Sequence, residues 1–299
     1  MRILTFDIEE WFHILDNDST RLENTWRGKE TRIHRNMDRI FELLDKHNQR
    51  ATFFCIGWVA EKHPDVIKKI DALGYEIGSH SNLHQLVYEQ SPEEFRQDLR
   101  VSIDRIESVT GKKITKYRSP GFSITKDALW AFEILSEEGI VTDCSVFPAS
   151  RAHGGIADLD LRTPFVIKHG SGQLREFPVS VTSMLGKNII FSGGGYFRFF
   201  PYKVIKRLTS KEDYVMTYFH PRDFDPAQPM IKELPLSRKF KSYVGLKGAL
   251  GKLDAFLRDY RFMDVAEAEK MIDWEGAGQL EISRDHSGKN GAFSVNILR

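Results

Sequence analysis

Apolar and polar positions along the first 145 residues follow a repeating order of short buried strand, loop and amphipathic helix. β-rich runs at 51–56 and 76–79 alternate with stretches such as 33–47, where apolar residues recur every three or four positions. The run SPEE from Ser91 is typical of a capped helix start, and Gly111 is typical of its end. About four such repeats predict an α/β fold with a parallel sheet, and favour a barrel.

The pattern changes at about residue 144, where helical spacing gives way to short β-like pieces such as PFVIK, LREFPVSV and KNIIFSG. We therefore predict a β-rich insertion followed by C-terminal helices, with one domain over 1–282. Further elements are predicted as a helix over 201–209, a strand over 214–219, a loop over 221–245, and helices over 246–258 and 265–272. The last stretch, 283–299, has no clear pattern and is predicted to be a tail.

The composition says little about the fold, but it excludes some classes of binding partner. The 299 residues include 43 basic and 42 acidic side chains, a net charge of +1, so no global attraction to nucleic acid or to an anionic membrane is expected. No apolar run reaches the length of a membrane span, and the N-terminus lacks a basic stretch followed by a long apolar one. These features predict a soluble, cytoplasmic protein, and they leave its oligomeric state open.

Ionisable residues follow the predicted strands at their carboxyl ends, where parallel barrels gather their active sites. Asp7 and Glu9 lie two apart, so they share one face of an extended strand, whereas Ile8 faces the other way. His80 and His84 bracket the segment HSNLH, on one helix face or on a tight loop. Two imidazoles and a carboxylate form a common open metal site with room for water.

Five segments together resemble the five ordered motifs of the polysaccharide deacetylases, the NodB-like carbohydrate esterases of family 4. These segments are TFDIEE, HSNLH, YRSPGF, TDCSVFP and YFHP, and the resemblance covers about residues 2–272. The later segments EFPVS, GGGYFR and YFHPRDFDP resemble the branch associated with exopolysaccharide biosynthesis. The resemblance implies a distorted (β/α) barrel of about seven strands. It also implies metal-dependent removal of N-acetyl groups from an amino sugar of a glycan or its precursor.

One position departs from the common family pattern TFDDG, because Ile8 stands where the second aspartate binds metal. The sequence resembles members in which the ligand lies two residues after the base. We therefore predict Glu9, His80 and His84 as metal ligands, with Glu10 in reserve. The set suits one divalent cation, with Zn²⁺ first and Ni²⁺, Co²⁺ or Fe²⁺ as alternatives.

The resemblance implies catalytic roles for four further residues. Asp7 is the expected general base, and Arg118 holds it ionised and oriented. His220 is the expected acid for the departing amine, and Asp143 is expected to contact His220 or to support Arg118. The backbone N–H of Gly121 is expected to stabilise the oxyanion.

Phe122 and Trp11 are candidates for stacking on the sugar, with core packing as their alternative role. The altered motif also leaves two other functions open. One is a different C–N hydrolase on the same scaffold, such as a deformylase or an allantoinase-like enzyme. The other is a glycan-binding protein without catalysis.

Overall fold

The computed structural model describes residues 1–15, 17–149, 153–156, 159–170, 172–184, 187–284 and 293–298. The strands are β1 Arg2–Ile3, β2 Thr5–Ile8, β3 Thr52–Cys55, β4 Glu76–Ser79, β5 Lys116–Tyr117, β6 Thr142–Asp143, β7 Phe165–His169, β8 Gly172–Glu176, β9 Thr182–Met184, β10 Lys187–Ile189, β11 Val215–Met216, β12 Gly278–Arg284 and β13 Phe293–Leu298. The α-helices are α1 Asp18–Arg21, α2 Ile33–Lys46, α3 Gly57–Lys62, α4 Pro64–Ala72, α5 Pro92–Thr110, α6 Trp130–Glu137, α7 Gly194–Phe199, α8 Tyr202–Lys211, α9 Leu236–Tyr243, α10 Leu246–Asp259 and α11 Val265–Glu269. Short 3₁₀ helices occupy Glu23–Trp26, Val87–Glu89, Pro120–Phe122, Lys126–Ala128 and Pro221–Phe224.

Parallel strands form the central array, as the repeating pattern predicted. Strands β2, β3, β4, β5, β6 and β8 are neighbours in that order, and each pair is parallel. On the other side, β11 pairs in parallel with β1, and a bridge joins Phe6 to Phe219. Counting β1 and β2 as one interrupted strand, the array has seven parallel members, which confirms the predicted α/β fold.

The array curves round so that its two ends meet without a regular ladder. The Ser180 hydroxyl, just after β8, accepts a hydrogen bond from the N–H of Met216 at 2.6 Å. The Tyr214 hydroxyl donates to the carbonyl of Pro178 at 2.7 Å. Side chains therefore replace part of the backbone pairing at this seam, which gives a distorted barrel.

Apolar side chains fill the space between this array and its helices. All four residues of β2 and of β3 are buried, and the rings of Phe6 and Phe53 stack at 5.3 Å. The predicted helix start at Ser91 is confirmed as a capping box with Glu94, and Gly111 ends α5 in the left-handed conformation. Because these parallel strands are buried along their length, the polar residues that follow them lie at one rim of the array.

Three elements differ from the sequence-based expectations. Strand β13 lies within the predicted tail and pairs antiparallel with β12, which continues the sheet beyond β7 and β8. The predicted loop over 221–245 contains α9, a short helix with no buried residue, although Leu236, Phe240 and Tyr243 recur at helical spacing. The segment GGGYFR, for which no helix was predicted, contains the start of α7. Among the described residues, no helix has the length and apolar character needed to cross a bilayer.

Candidate active site

Glu9, His80 and His84 converge at the carboxyl ends of β2 and β4. One ligand atom from each residue lies within 4.8 Å of the other two. Glu9 Oε2 is 2.7 Å from His84 Nε2, yet among the described residues no N–H is aligned to donate to this buried oxygen. Such close, unsatisfied atoms fit a shared cation, as do two imidazoles with one carboxylate.

The protonation states of Glu9 and His80 also suit the binding of a cation. The Nδ1 of His80 lies 2.7 Å from the carbonyl of Arg118 and donates to it, which leaves Nε2 to face the site. Burial lowers the pKa of His80 to about 4 in spite of the nearby Asp7, so its imidazole is neutral. Burial opposes the charge of Glu9, but His84 and then His220 outweigh it and lower the pKa to about 2. The available ligand atoms therefore include the carboxylate of Glu9 and the neutral imidazole nitrogen of His80.

The segment HSNLH is a tight loop fixed by its neighbours. The N–H of His80 donates to the carbonyl of Cys55, and the N–H of His84 donates to the Ser81 hydroxyl. Ser81 and His84 both have positive φ, 67° and 56°, a conformation that costs a non-glycine residue free energy. The loop thus holds two strained residues in place so that both imidazoles face Glu9.

Glu10, the reserve ligand, points elsewhere. Its Oε1 accepts hydrogen bonds from the N–H groups of Arg32 at 2.8 Å and Ile33 at 3.0 Å, at the start of α2. A carboxylate there satisfies free N–H groups and complements the helix dipole. The structure therefore brings Glu9, rather than Glu10, to the two histidines.

Asp7 and Arg118 form a buried ion pair beside this cluster. The Nη1 of Arg118 donates to Asp7 Oδ1 at 2.9 Å and to the Thr5 hydroxyl at 2.6 Å, and its Nε donates to the carbonyl of Cys144. Arg118 is fully buried, and its guanidinium carbon lies 4.3 Å from the centre of the Phe54 ring. The pair fixes Asp7 as a carboxylate whose second oxygen remains turned towards the cleft.

His220 faces that second oxygen from the end of β11. Its Nε2 lies 3.8 Å from Asp7 Oδ2 and 4.0 Å from Glu9 Oε1, while its Nδ1 lies 3.0 Å from Asp223 Oδ2. Burial opposes the charge of His220, but Asp223 and then Glu9 outweigh it and raise the pKa to about 9. The imidazole is therefore protonated near neutral pH.

Asp223 is the site residue that the sequence reasoning missed. Besides Nδ1 of His220 it accepts the backbone N–H of His220 at 2.9 Å, and Arg198 lies 3.0 Å from its other oxygen. The signal was present in the sequence HPRD. Proline at the first helical position and aspartate at the third are typical of a helix start whose acidic side chain reaches back to the cap.

The Asp143 carboxylate binds Ser145 rather than His220. It accepts hydrogen bonds from the Ser145 hydroxyl at 2.6 Å and the Ser145 N–H at 3.2 Å. Within the described residues it has no direct hydrogen bond to His220 or Arg118, so the expected contact with His220 is not observed. Its link to the site is indirect, because the Ser145 hydroxyl accepts the N–H of Ser119 at 2.8 Å. Asp143 thus helps to hold the strand end that carries Arg118.

The three predicted substrate contacts divide into two groups. Gly121 and Phe122 both line the cleft, and both have positive φ. Trp11 does not line it, because the chain turns at 11–12 and the indole packs in the core, donating to the carbonyl of Glu30 at 2.8 Å. The prediction that Trp11 stacks on a sugar is therefore wrong.

Seven of the ionisable residues described above open onto one cleft of about 710 Å³, namely Asp7, Glu9, His80, His84, Arg198, His220 and Asp223. Asp7, Glu9, His80, His84 and His220 lie at its floor. One wall comes from α7 and α9, including Phe199 and Phe240, whose side chains are more than half exposed. The cleft is large enough for a sugar and brings a base, an acid and a metal-ligand set within reach of the same molecule.

Two family models match this chain, each over a different part of it. Residues 4–136 match the model of the polysaccharide deacetylase family, and residues 144–270 match a domain of unknown function, DUF3473. Residues 4–136 are therefore similar to the polysaccharide deacetylases, the NodB-like carbohydrate esterases of family 4. The predicted link to exopolysaccharide biosynthesis remains a prediction.

Individual proteins agree with that class. A peptidoglycan-N-acetylglucosamine deacetylase of Bacillus cereus is 31% identical over 96 residues, which is 32% of this chain and 35% of the relative. The peptidoglycan-N-acetylmuramic acid deacetylase PdaA of Bacillus subtilis is 27% identical over 82 residues, 27% of this chain and 31% of the relative. The matches thus span about a third of these relatives. A crystal structure from Mycobacterium smegmatis, described as a polysaccharide deacetylase, has 20% identity and a TM-score of 0.59, covering 90% of this chain and 88% of that one, and shares the fold.

The two matched regions contribute different parts of the site. Asp7, Glu9, the two histidines of HSNLH and Arg118 all lie within 4–136. His220 and its partner Asp223 lie within 144–270. His220 and its charge partner therefore come from the region that matches the domain of unknown function.

Proposed function

We propose that this protein is a metal-dependent hydrolase that removes N-acetyl groups from an amino-sugar residue of a glycan or glycan precursor. The observation that supports it most is the Asp7–Arg118 pair lying beside the Glu9, His80 and His84 cluster, with Nε2 of His220 3.8 Å from Asp7 Oδ2. Deacetylation requires a base, an electrophilic activator and an acid, and these groups have those properties.

The cation site is Glu9, His80 and His84. A divalent cation held there supplies Lewis acidity, which makes water a better nucleophile and an amide carbonyl a better electrophile. Zn²⁺ is the first candidate, and Ni²⁺, Co²⁺ and Fe²⁺ also suit the ligands.

Asp7 takes the proton from the attacking water through Oδ2, since Oδ1 is occupied by Arg118. The buried Arg118 guanidinium holds Oδ1 and prevents the Asp7 side chain from rotating away. As the C–N bond breaks, Nε2 of His220 transfers its proton to the departing amine, and Asp223 stabilises the imidazolium until then. The products are acetate and a free amino sugar, so atoms and charge balance.

Metal content and acetate release should be measured together on purified protein supplied with Zn²⁺ and an N-acetylglucosamine oligomer. We expect His80→Ala to lose both, because one of three ligands is removed. His34→Ala is a matched control, since His34 is an exposed histidine paired with Asp65 outside the cleft. Unchanged acetate release from the metal-depleted His80→Ala protein would contradict the metal-dependent mechanism.

The same assay separates the two alternatives. Turnover of small formyl or ureido amides without turnover of sugars would indicate another C–N hydrolase. Binding of N-acetylated glycans with no acetate release, in the presence of metal, would indicate a glycan-binding protein.

A further inference from the structure

Arg222 is a cation in the cleft without an anionic partner. It lies two residues after His220 and lines the same cleft. Its Nη2 is buried, and no hydrogen-bond partner for it exists among the described residues. No carboxylate of those residues forms a salt bridge with it. A guanidinium in this state represents unused binding capacity, because a buried donor left unpaired costs free energy.

Among the described residues, the carboxylates that line the cleft are Asp7, Glu9 and Asp223, and each has a partner or a proposed role other than Arg222. Asp7 is paired with Arg118 at 2.9 Å, and Asp223 is paired with Arg198 and His220, both at 3.0 Å. Glu9 belongs to the proposed cation site and is neutralised when that site is filled. Arg222 then remains as positive charge without a counterion.

The side chain is also held in place. Nε of Arg222 donates to Oε1 of Gln228 at 3.2 Å, and the Gln228 amide donates back to the carbonyls of Arg222 at 2.7 Å and Asp225 at 3.0 Å. Burial lowers the pKa of Arg222, and the charge of Glu9 opposes this shift. Two residues of α9 that line the same cleft, Arg238 and Lys241, add positive charge to that wall. A fixed guanidinium in a cationic wall is suited to a planar oxyanion.

We propose that Arg222 binds an oxyanion carried by the glycan, such as a carboxylate on the sugar that is deacetylated or on its neighbour. The proposal rests on the proposed function and deepens it, because it makes the substrate an anionic glycan rather than a neutral one. Arg222 acts in specificity and takes no part in proton transfer.

The test compares two glycans that differ in one charge. Tetrasaccharides of alternating N-acetylglucosamine and N-acetylmuramic acid are used with the lactyl carboxylates free or methyl-esterified. For wild-type protein we expect kcat/KM for acetate release to be about tenfold higher on the free acid. In Arg222→Gln the two glycans should become equal, through loss on the free acid with the ester unchanged. Arg258→Gln, an exposed arginine outside the cleft, is the matched control.

Two further measurements keep the outcome decisive. Binding of both glycans to Asp7→Asn, with and without Arg222→Gln, is measured by calorimetry, so that the proposal is tested even if no sugar is deacetylated. Failure of turnover alone counts against the proposed function, whereas equal binding of acid and ester overturns the role of Arg222. Arg222→Lys, which keeps the charge, should retain part of the preference if Arg222→Gln proves unstable.

Free acetate is the other source of a carboxylate in this cleft. Competitive inhibition by acetate that Arg222→Gln relieves, without any preference for the acidic glycan, would assign Arg222 to the product and overturn the proposal. A preference for the free acid that persists in Arg222→Gln would overturn it equally.

Discussion

Replacing Asp223 with asparagine should move the alkaline limb of the activity profile to lower pH. The active form of His220 is the protonated imidazole, so activity is lost as the pH rises through its pKa, about 9 in the native protein. Asparagine keeps the shape of the side chain but removes the charge 3.0 Å from Nδ1. A cation at Glu9 cancels the second anion that supports His220, so Asp223 carries most of the effect.

The size of the change follows from that distance. Two charge centres roughly 4 Å apart interact by about 4 kcal/mol at an effective dielectric constant of about 20. Each pKa unit corresponds to about 1.36 kcal/mol, so the pKa of His220 should fall by about three, to about 6. At pH 8 the protonated fraction then falls about 100-fold, whereas near pH 5.5 most of the imidazole is charged in both proteins.

The assay is kcat/KM for acetate release between pH 5 and pH 10 at saturating metal, with metal content measured at each pH. Asp254→Asn is a matched control, because Asp254 lies 2.9 Å from Nε2 of His47 in an aspartate–histidine pair outside the cleft. The control should follow the wild-type profile. Coincident alkaline limbs for Asp223→Asn and wild type would refute the assignment of His220 as an acid supported by Asp223.

Three further substitutions test how the site is held. Glu9→Gln should weaken metal binding by more than about tenfold, while Glu10→Gln keeps the metal and costs up to about 1 kcal/mol of stability by removing the negative charge at the start of α2; equal metal loss in both would contradict the assignment. Ser145→Ala should lower kcat about tenfold with metal content unchanged, because the N–H of Ser119 loses its acceptor; unchanged kcat would show that this contact does not position the site. Gly57→Ala should destabilise the fold by about 1–3 kcal/mol in chemical denaturation, since its Cβ would lie 2.9 Å from backbone of α5; wild-type stability would contradict that close packing.

The sequence predicted those parts of the site that depend on strand ends. Alternation along β2 placed Asp7 and Glu9 on one face, and the structure brings both to the cleft. Trp11 takes its alternative role of core packing, because the chain turns at 11–12, soon after the two carboxylates. Alternation remained informative for Glu9, one residue beyond the end of β2 at Ile8, but it carries no information past the turn.

Other features depended on contacts between distant segments, which a single sequence does not reveal. The lack of a salt-bridge partner for Arg222 among the described residues is apparent only from the structure. There, the nearby carboxylates of Asp7 and Asp223 pair with Arg118, Arg198 and His220. Asp143 was sought at His220 but is bound to Ser145, because a two-residue strand leaves the direction of its end undetermined.

The pairing of β1 and β2 with β11 has a consequence for how the protein comes into being. Thr5 donates two hydrogen bonds to Thr217, 212 residues away, so this contact forms only after both ends of that stretch have left the ribosome. At about 5–20 residues per second, Asp7 waits on the order of ten to forty seconds for His220. Contacts of such long sequence separation also form late in folding. A nascent chain could therefore bring its proposed metal ligands together early. Under the proposed mechanism it would have no activity until His220 reached Asp7.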